Sequence, residues 1–119
     1  MLFRSTTTIL AGTNAITLDG ATNTYGTLVL TGSNVAVVEN AATDLGATTT
    51  TGTLSVTSTG AITDSGKLTV ANNATFNAGT NAITLNDATS KFGPVTLTGS
   101  NITFVEKDRK STRLNSSHT

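Results

Sequence analysis

The sequence contains no cysteine and no tryptophan, and only one proline, one tyrosine and one histidine. Without cysteine there can be neither a disulfide nor a thiolate metal site. With so few large aromatics, a platform for stacking sugar rings is disfavoured, and so is a core anchored by big side chains. Charged residues make up 12% of the chain, about half the usual share. No apolar run approaches membrane-spanning length. Met1–Leu10 lacks the apolar stretch of a signal peptide. What is present in their place is threonine, 28 of the 119 residues, with 11 glycines and 11 asparagines. All three are poor in helix interiors. Threonine favours strands, and glycine and asparagine favour the turns between them. The expectation is an all-β chain of many short strands.

The apolar residues carry a regular rhythm. Pairs spaced i, i+2 recur at Ile16/Leu18, Leu28/Leu30, Val35/Val37, Leu54/Val56, Leu68/Val70, Ala74/Phe76, Ile83/Leu85, Val95/Leu97 and Ile102/Phe104. Each is the signature of a short strand with one face inward. Gly, Asn, Asp, Ser and Thr fill the gaps, and a Gly-x-aliphatic-x-aliphatic start recurs at Gly26, Gly52, Gly66 and Gly93. A longer period overlies this rhythm. Residues 11–39 align without a gap on residues 78–106, an offset of 67, with 18 of 29 positions identical. Such self-similarity signals a stacked array.

Strands this short are stable only when stacked. The expected architecture is a right-handed parallel β-solenoid (β-helix) with three strands per turn of about 22 residues, so that one period makes three turns. Residues 11–39 and 78–106 would then be equivalent turns three rungs apart, with Leu18, Leu85, Val35 and Ile102 all pointing inward. Asn14, Asn81, Asn34 and Asn101 would form ladders at the corners. The alternative is an antiparallel β-sandwich, which ordinarily has longer strands and an aromatic anchor.

The two ends differ from what lies between them. Asp108–Thr119 (DRKSTRLNSSHT) holds three of the seven Lys/Arg residues and the one histidine, and has no strand alternation. Asp108–His118 resembles a translated sequencing-library adapter, and Met1–Ser5 resembles the same adapter in reverse complement. The expected organisation is therefore an artefact at residues 1–5, a β-repeat segment at 6–107, and a second, disordered artefact at 108–119. Within 6–107, Lys67, Lys91 and Lys107 stand against six carboxylates, and Arg and His are absent. A mildly acidic segment without arginine is a poor nucleic-acid ligand, which would need a positive stripe.

The runs GTLSVTSTGAITDSGKLTV and AGTNAITL, with LTGSN between strands, resemble the β-strand repeats of large secreted bacterial adhesins, the filamentous-haemagglutinin-like and autotransporter-like exoproteins. The resemblance implies a structural stalk segment at the cell surface or outside the cell. Its neighbours would be further repeats of the same chain, and host-surface or biofilm glycans or proteins would be its contacts. It carries over no catalytic residue.

Enzymatic chemistry is not expected. Gly60–Lys67 (GAITDSGK) has the wrong glycine spacing for a phosphate loop, and Leu68 stands where Ser or Thr must meet magnesium. Asp19, Asn23, Asp44, Asp64, Asn86 and Asp87 fall in turns and offer oxygen ligands of the kind calcium uses, but turn-forming Asx side chains explain them better. A calcium- or glycan-binding β-helix module is the alternative function. Thr-x-Thr occurs often but at no fixed period, which argues against an ice-binding face. The Asn73 and Asn101 glycosylation patterns are expected by chance in so Asn- and Thr-rich a chain. The site expectation is none for catalysis, cofactor or metal.

Overall fold

The computed structural model describes residues 6–20, 24–87 and 89–105, and among them there are twelve strands and no helix. The expectations placed on residues 1–5 and 106–119, and on Asn23, lie outside the described residues. All nine i, i+2 pairs of the sequence are strands. They are β2 (Ile16–Leu18), β3 (Thr27–Gly32), β4 (Val35–Glu39), β6 (Leu54–Ser58), β8 (Leu68–Val70), β9 (Ala74–Asn77), β10 (Ile83–Leu85), β11 (Val95–Thr98) and β12 (Ile102–Phe104). Three more have weaker patterns: β1 (Thr6–Leu10), β5 (Thr43–Thr50) and β7 (Ile62–Asp64).

The strands form two sheets. One is seven-stranded, in the order β1-β3-β5-β7-β10-β12 with β8 beside the second half of β5; the other is five-stranded, β2-β4-β6-β9-β11. Every pairing between described strands is parallel. The chain therefore coils as a parallel β-solenoid of about five turns, and the antiparallel sandwich is excluded. Parallel strands laid down turn upon turn stack about 4.8 Å apart.

Two features of the expected register need correction. The turns are unequal, and between strands they are shorter than expected. The shortest step sets Thr27 opposite Asp44, and a longer one sets Thr6 opposite Thr27. Each turn crosses two sheets. The wide sheet accounts for the third side: β5 is long enough to carry β7 on its first half and β8 on its second. Nor are the two copies of the repeat equivalent turns. Ile16, Val35, Leu54 and Ala74 succeed one another in register in the five-stranded sheet. Ile83, the counterpart of Ile16, comes one strand after Ala74 and already belongs to the other sheet.

The inner face is a set of aliphatic stacks. In the five-stranded sheet, Leu18, Val37, Val56, Phe76 and Leu97 follow one another from strand to strand, each on the core side. Thr43, Ile62, Ile83 and Ile102 do the same in the wide sheet. Leu85 and Val35 are buried, and Leu18 and Ile102 pack against the core from the ends, so all four point inward as expected. Phe92 meets Phe76 edge-on and lies against Phe104, a small aromatic cluster that joins β9, the segment before β11, and β12.

β5 escapes an apolar pattern because its inward side chains include threonines. Thr43, Thr48 and Thr50 are buried, and each hydroxyl donates nearby: to Glu39 Oε1 (2.8 Å), Gly46 O (3.0 Å) and Gly52 O (3.4 Å). A threonine so satisfied fills the place of a valine without leaving a polar atom unpaired, which would cost about 1–3 kcal/mol.

Glycines set how closely the turns approach. A Cβ on Gly66 would lie 2.5 Å from Ala47 N, and one on Gly93 would lie 2.4 Å from Asn72 O, in each case the main chain of the turn before. Gly66→Ala and Gly93→Ala should each lower unfolding stability by about 1–3 kcal/mol, the cost of overpacking. Denaturant titration by circular dichroism checks this. Gly46, whose Cβ would meet mainly the methyl groups of Val29 and Thr27, should tolerate alanine better, because side chains yield more readily than main chain.

Candidate functional site

The most elaborate local structure is a corner that the chain builds twice. In the first copy Gly12 takes φ 61°, Asn14 N donates to Ala11 O (2.9 Å), and the Asn14 carbonyl accepts Ser33 N from the next turn (2.8 Å). In the second copy Gly79 takes φ 63°, Asn81 N donates to Ala78 O (2.9 Å), and Asn81 O accepts Ser100 N (2.8 Å). Glycine suits that positive φ because it has no Cβ to clash. The upper turn also needs a glycine: a Cβ on Gly32 or Gly99 would lie 2.8 Å from Asn14 O or Asn81 O. AGTN stacked beneath TGSN is thus one structural unit, made of a left-handed glycine, an asparagine carbonyl and a second glycine above it.

The asparagine ladders exist in altered form, joining side chain to a neighbouring turn rather than Asn to Asn. Asn34 Oδ1 accepts Thr53 N (3.0 Å) and Thr53 Oγ1 (3.3 Å), and Gly52 leaves room for it. Asn81 Nδ2 donates to Thr59 O (2.8 Å) one turn below and to Ala78 O (3.1 Å) in its own corner. Asn14 Nδ2 reaches only Ala11 O (3.2 Å).

Among the described residues, one carboxylate lies fully inside. Glu39 follows Val35 and Val37 on the inner side of β4 and is completely buried. Its Oε2 accepts Tyr25 N from the preceding turn (2.7 Å), and its Oε1 accepts Thr43 Oγ1 (2.8 Å). Burial pushes its pKa up, and the Tyr25 and Thr43 bonds only partly offset this. The site joins two turns through one side chain, a structural task. Nothing in the sequence marked Glu39 as buried, although the rhythm Val35, Val37, Glu39 is strict i, i+2.

The other acids act on loops and outer faces. Asp44, on the outside of β5, accepts three hydroxyls from the turns on either side: Thr27 Oγ1 (2.9 Å) and Ser65 Oγ (2.9 Å) on Oδ2, and Thr63 Oγ1 (3.1 Å) on Oδ1. Asp64 receives the main-chain N–H groups of Asn86 (3.2 Å) and Asp87 (3.4 Å), and burial raises its pKa. Asp87 is pulled the other way by the side-chain and main-chain bonds from Thr89. Asp19 is exposed after β2, and Asn86 is exposed after β10. Among the described residues, no three of the acids converge as metal ligands.

Gly60–Lys67 is strand β7 between two turns, with Ile62 in the core, and no helix follows it. It therefore lacks the helix N-terminus a phosphate loop needs. Asn73 and Asn101 are exposed beside strands β9 and β12.

The structure brings together one pattern that a fixed period conceals. Thr6, Thr27, Asp44, Thr63, Thr84 and Thr103 stand opposite one another in register along the outside of the wide sheet. Thr17, Ala36, Ser55, Thr75 and Thr96 do so on the outside of the narrow one. Because turns differ in length, these positions do not recur evenly in sequence. Asp44 interrupts one column, and Ala36 and Ser55 the other, so neither is an unbroken threonine face. Among the described residues, no helix is long and apolar enough to cross a membrane.

The family model for repeats of unknown function, DUF5649, matches residues 3–31 and 32–102. No curated protein and no solved structure matches the chain.

Glu39 provides a test of the structural role assigned to it. A carboxylic acid whose pKa rises on folding is most favourable to the fold when protonated, and that advantage is lost as pH rises through the folded-state value. Glu39→Gln keeps an acceptor for Tyr25 N and offers Thr43 an amide N–H that its hydroxyl can accept by turning round, without the charge. The variant should gain stability relative to the parent between about pH 4 and about pH 7, measured by chemical denaturation at both. A gap independent of pH would show that the charge is not penalised there.

Proposed function

Since this chain belongs to the repeats of unknown function DUF5649, we propose that it is a structural segment of the stalk of a secreted or surface-anchored bacterial adhesin, without catalytic activity of its own. One observation carries this reading: both copies of the repeat rebuild the same interlocking corner, down to glycine φ and hydrogen-bond lengths. A sequence that places its identical residues at the join between turns is suited to extension, since solenoid turns gain stability chiefly from their neighbours. A recognition site would instead concentrate its repeated chemistry in exposed loops. Here the segment between the strands is the divergent part, DGATNTYG against NDATSKFG. The partners on this reading are further copies of the same unit, and surface glycans or proteins contacted at the end of the array. The location is extracellular.

The termini enter the proposal as foreign sequence. The repeat phase makes residues 107–119 the counterparts of 40–52, yet not one position is identical, whereas the match holds through Glu39 and Glu106. Met1–Ser5 likewise shares nothing with residues 68–72.

Long-read sequencing of the intact gene tests both points. It should show the frame continuing past Glu106 with further copies of the unit in place of DRKSTRLNSSHT, behind a secretion signal. A single divergent block in a gene without such a signal would overturn the stalk. An independent assembly that retains DRKSTRLNSSHT in frame would overturn the artefact. The calcium-binding alternative separates by thermal melting: the midpoint should be the same in calcium and in chelator, and a rise of several degrees with calcium would favour that alternative.

A further inference from the structure

We infer that successive repeat units are rotated about the solenoid axis by one strand crossing, so that equivalent residues of neighbouring units are presented on different sides of the coil. The pairings inside a unit are the same in both copies. Ile16 is opposite Val35, and their counterparts Ile83 and Ile102 are opposite each other at the same spacing. Ala11 N donates to Thr31 O at 2.7 Å, and Ala78 N to Thr98 O at 2.8 Å. The sheets that receive them are exchanged. β2 and β4 are in the five-stranded sheet while their counterparts β10 and β12 are in the seven-stranded one; β3 is in the seven-stranded sheet while β11 is in the five-stranded one. The corner changes edge in the same way. AGTN leads from the wide sheet to the narrow one after β1, and from the narrow to the wide one after β9.

The cause is arithmetic in the chain. Three turns upward from Ile16, through Val35 and Leu54, the strand in register begins at Ala74. The repeat is not yet complete there, because the counterpart of Ile16 is Ile83, one strand further on. One period therefore makes three turns and one further crossing, and the crossing delivers the next unit to the other sheet. The unit is built to be indifferent to which sheet it enters. Its corner depends on main-chain bonds, small residues and a left-handed glycine, all of which can be placed at either edge. The divergent segment therefore follows the narrow sheet's β2 in one unit and the wide sheet's β10 in the next. In an array, which rests on the stalk reading above, the same segment would be presented from successive sides of the coil, and whatever it touches would be met on more than one flank. The exchange inside this one chain does not rest on that reading.

The absence of cysteine makes the test direct. Spin labels are placed on paired cysteines in the full chain: Thr17→Cys with Thr75→Cys, Thr17→Cys with Thr84→Cys, and Thr84→Cys with Thr103→Cys. Thr17 and Thr75 share an outer face three strands apart, about 14 Å, and Thr84 and Thr103 are adjacent in register. Both pairs should show strong dipolar broadening. Thr17 and Thr84 are counterparts in the repeat but stand on the outer faces of different sheets. With two sheets about 10 Å apart and labels on both outsides, their broadening should be weak or absent. Broadening of Thr17–Thr84 as strong as that of Thr17–Thr75 would mean that equivalent residues share a face, and would overturn the inference. Loss of broadening in either control pair would overturn it too, because it would remove the register itself. None of these outcomes bears on whether the whole protein is an adhesin, which the gene sequence decides.

Discussion

The parallel main-chain ladder between one turn and the next is what everything else in this molecule answers to. A strand of three to eight residues cannot stand alone in water. It persists here because its N–H and carbonyl groups are taken up by the strands above and below, and because the same stacking buries one side chain in every two. The ladder demands that successive turns approach to about 4.8 Å everywhere, including at the corners. Sheet interiors meet this demand readily. Corners meet it only where a side chain is missing or pointed away, which is why Gly66 and Gly93 sit on the main chain of the preceding turn and Gly32 and Gly99 sit on an asparagine carbonyl.

Polar groups are fitted to the same ladder. Among the described residues, no buried side-chain nitrogen or oxygen lacks a hydrogen-bond partner. Glu39 bridges two turns from inside, Asp44 gathers three hydroxyls outside, and Ser90 Oγ accepts Leu68 N (2.9 Å) from the turn below. In each case a side chain completes bonding that the irregular part of a turn leaves open. Much of the polar chemistry that resembles a site in the bare sequence is therefore occupied in holding turns together. This is the physical content of calling the segment structural.

A solenoid with turns of unequal length tolerates variation that a globular core does not. β3 and β5 absorb a change of register between Leu28 and Leu30, and β5 divides its pairing between β7 and β8. Such slack lets a repeat whose length is not a whole number of turns continue the coil. Turns of one fixed length that divided the repeat evenly would bring every unit into the same orientation.

The class of fold and most of its strands were legible in the chain before any coordinates. Each i, i+2 aliphatic pair is a strand with those residues inward, because a two-residue period can bury only one face. The corners were legible too, since AGTN and TGSN recur intact and their glycines and asparagines have few other uses. β5 was not, because its inward threonines look like surface residues until their hydroxyls find Glu39 and nearby carbonyls. Nor were the burial of Glu39, the alignment of the outer threonine columns, or the exchange of sheets between the two copies. All of these depend on how much chain each turn consumes. That length is decided where a loop can fold back onto the turn beneath it, and only the stacked structure brings those two segments together.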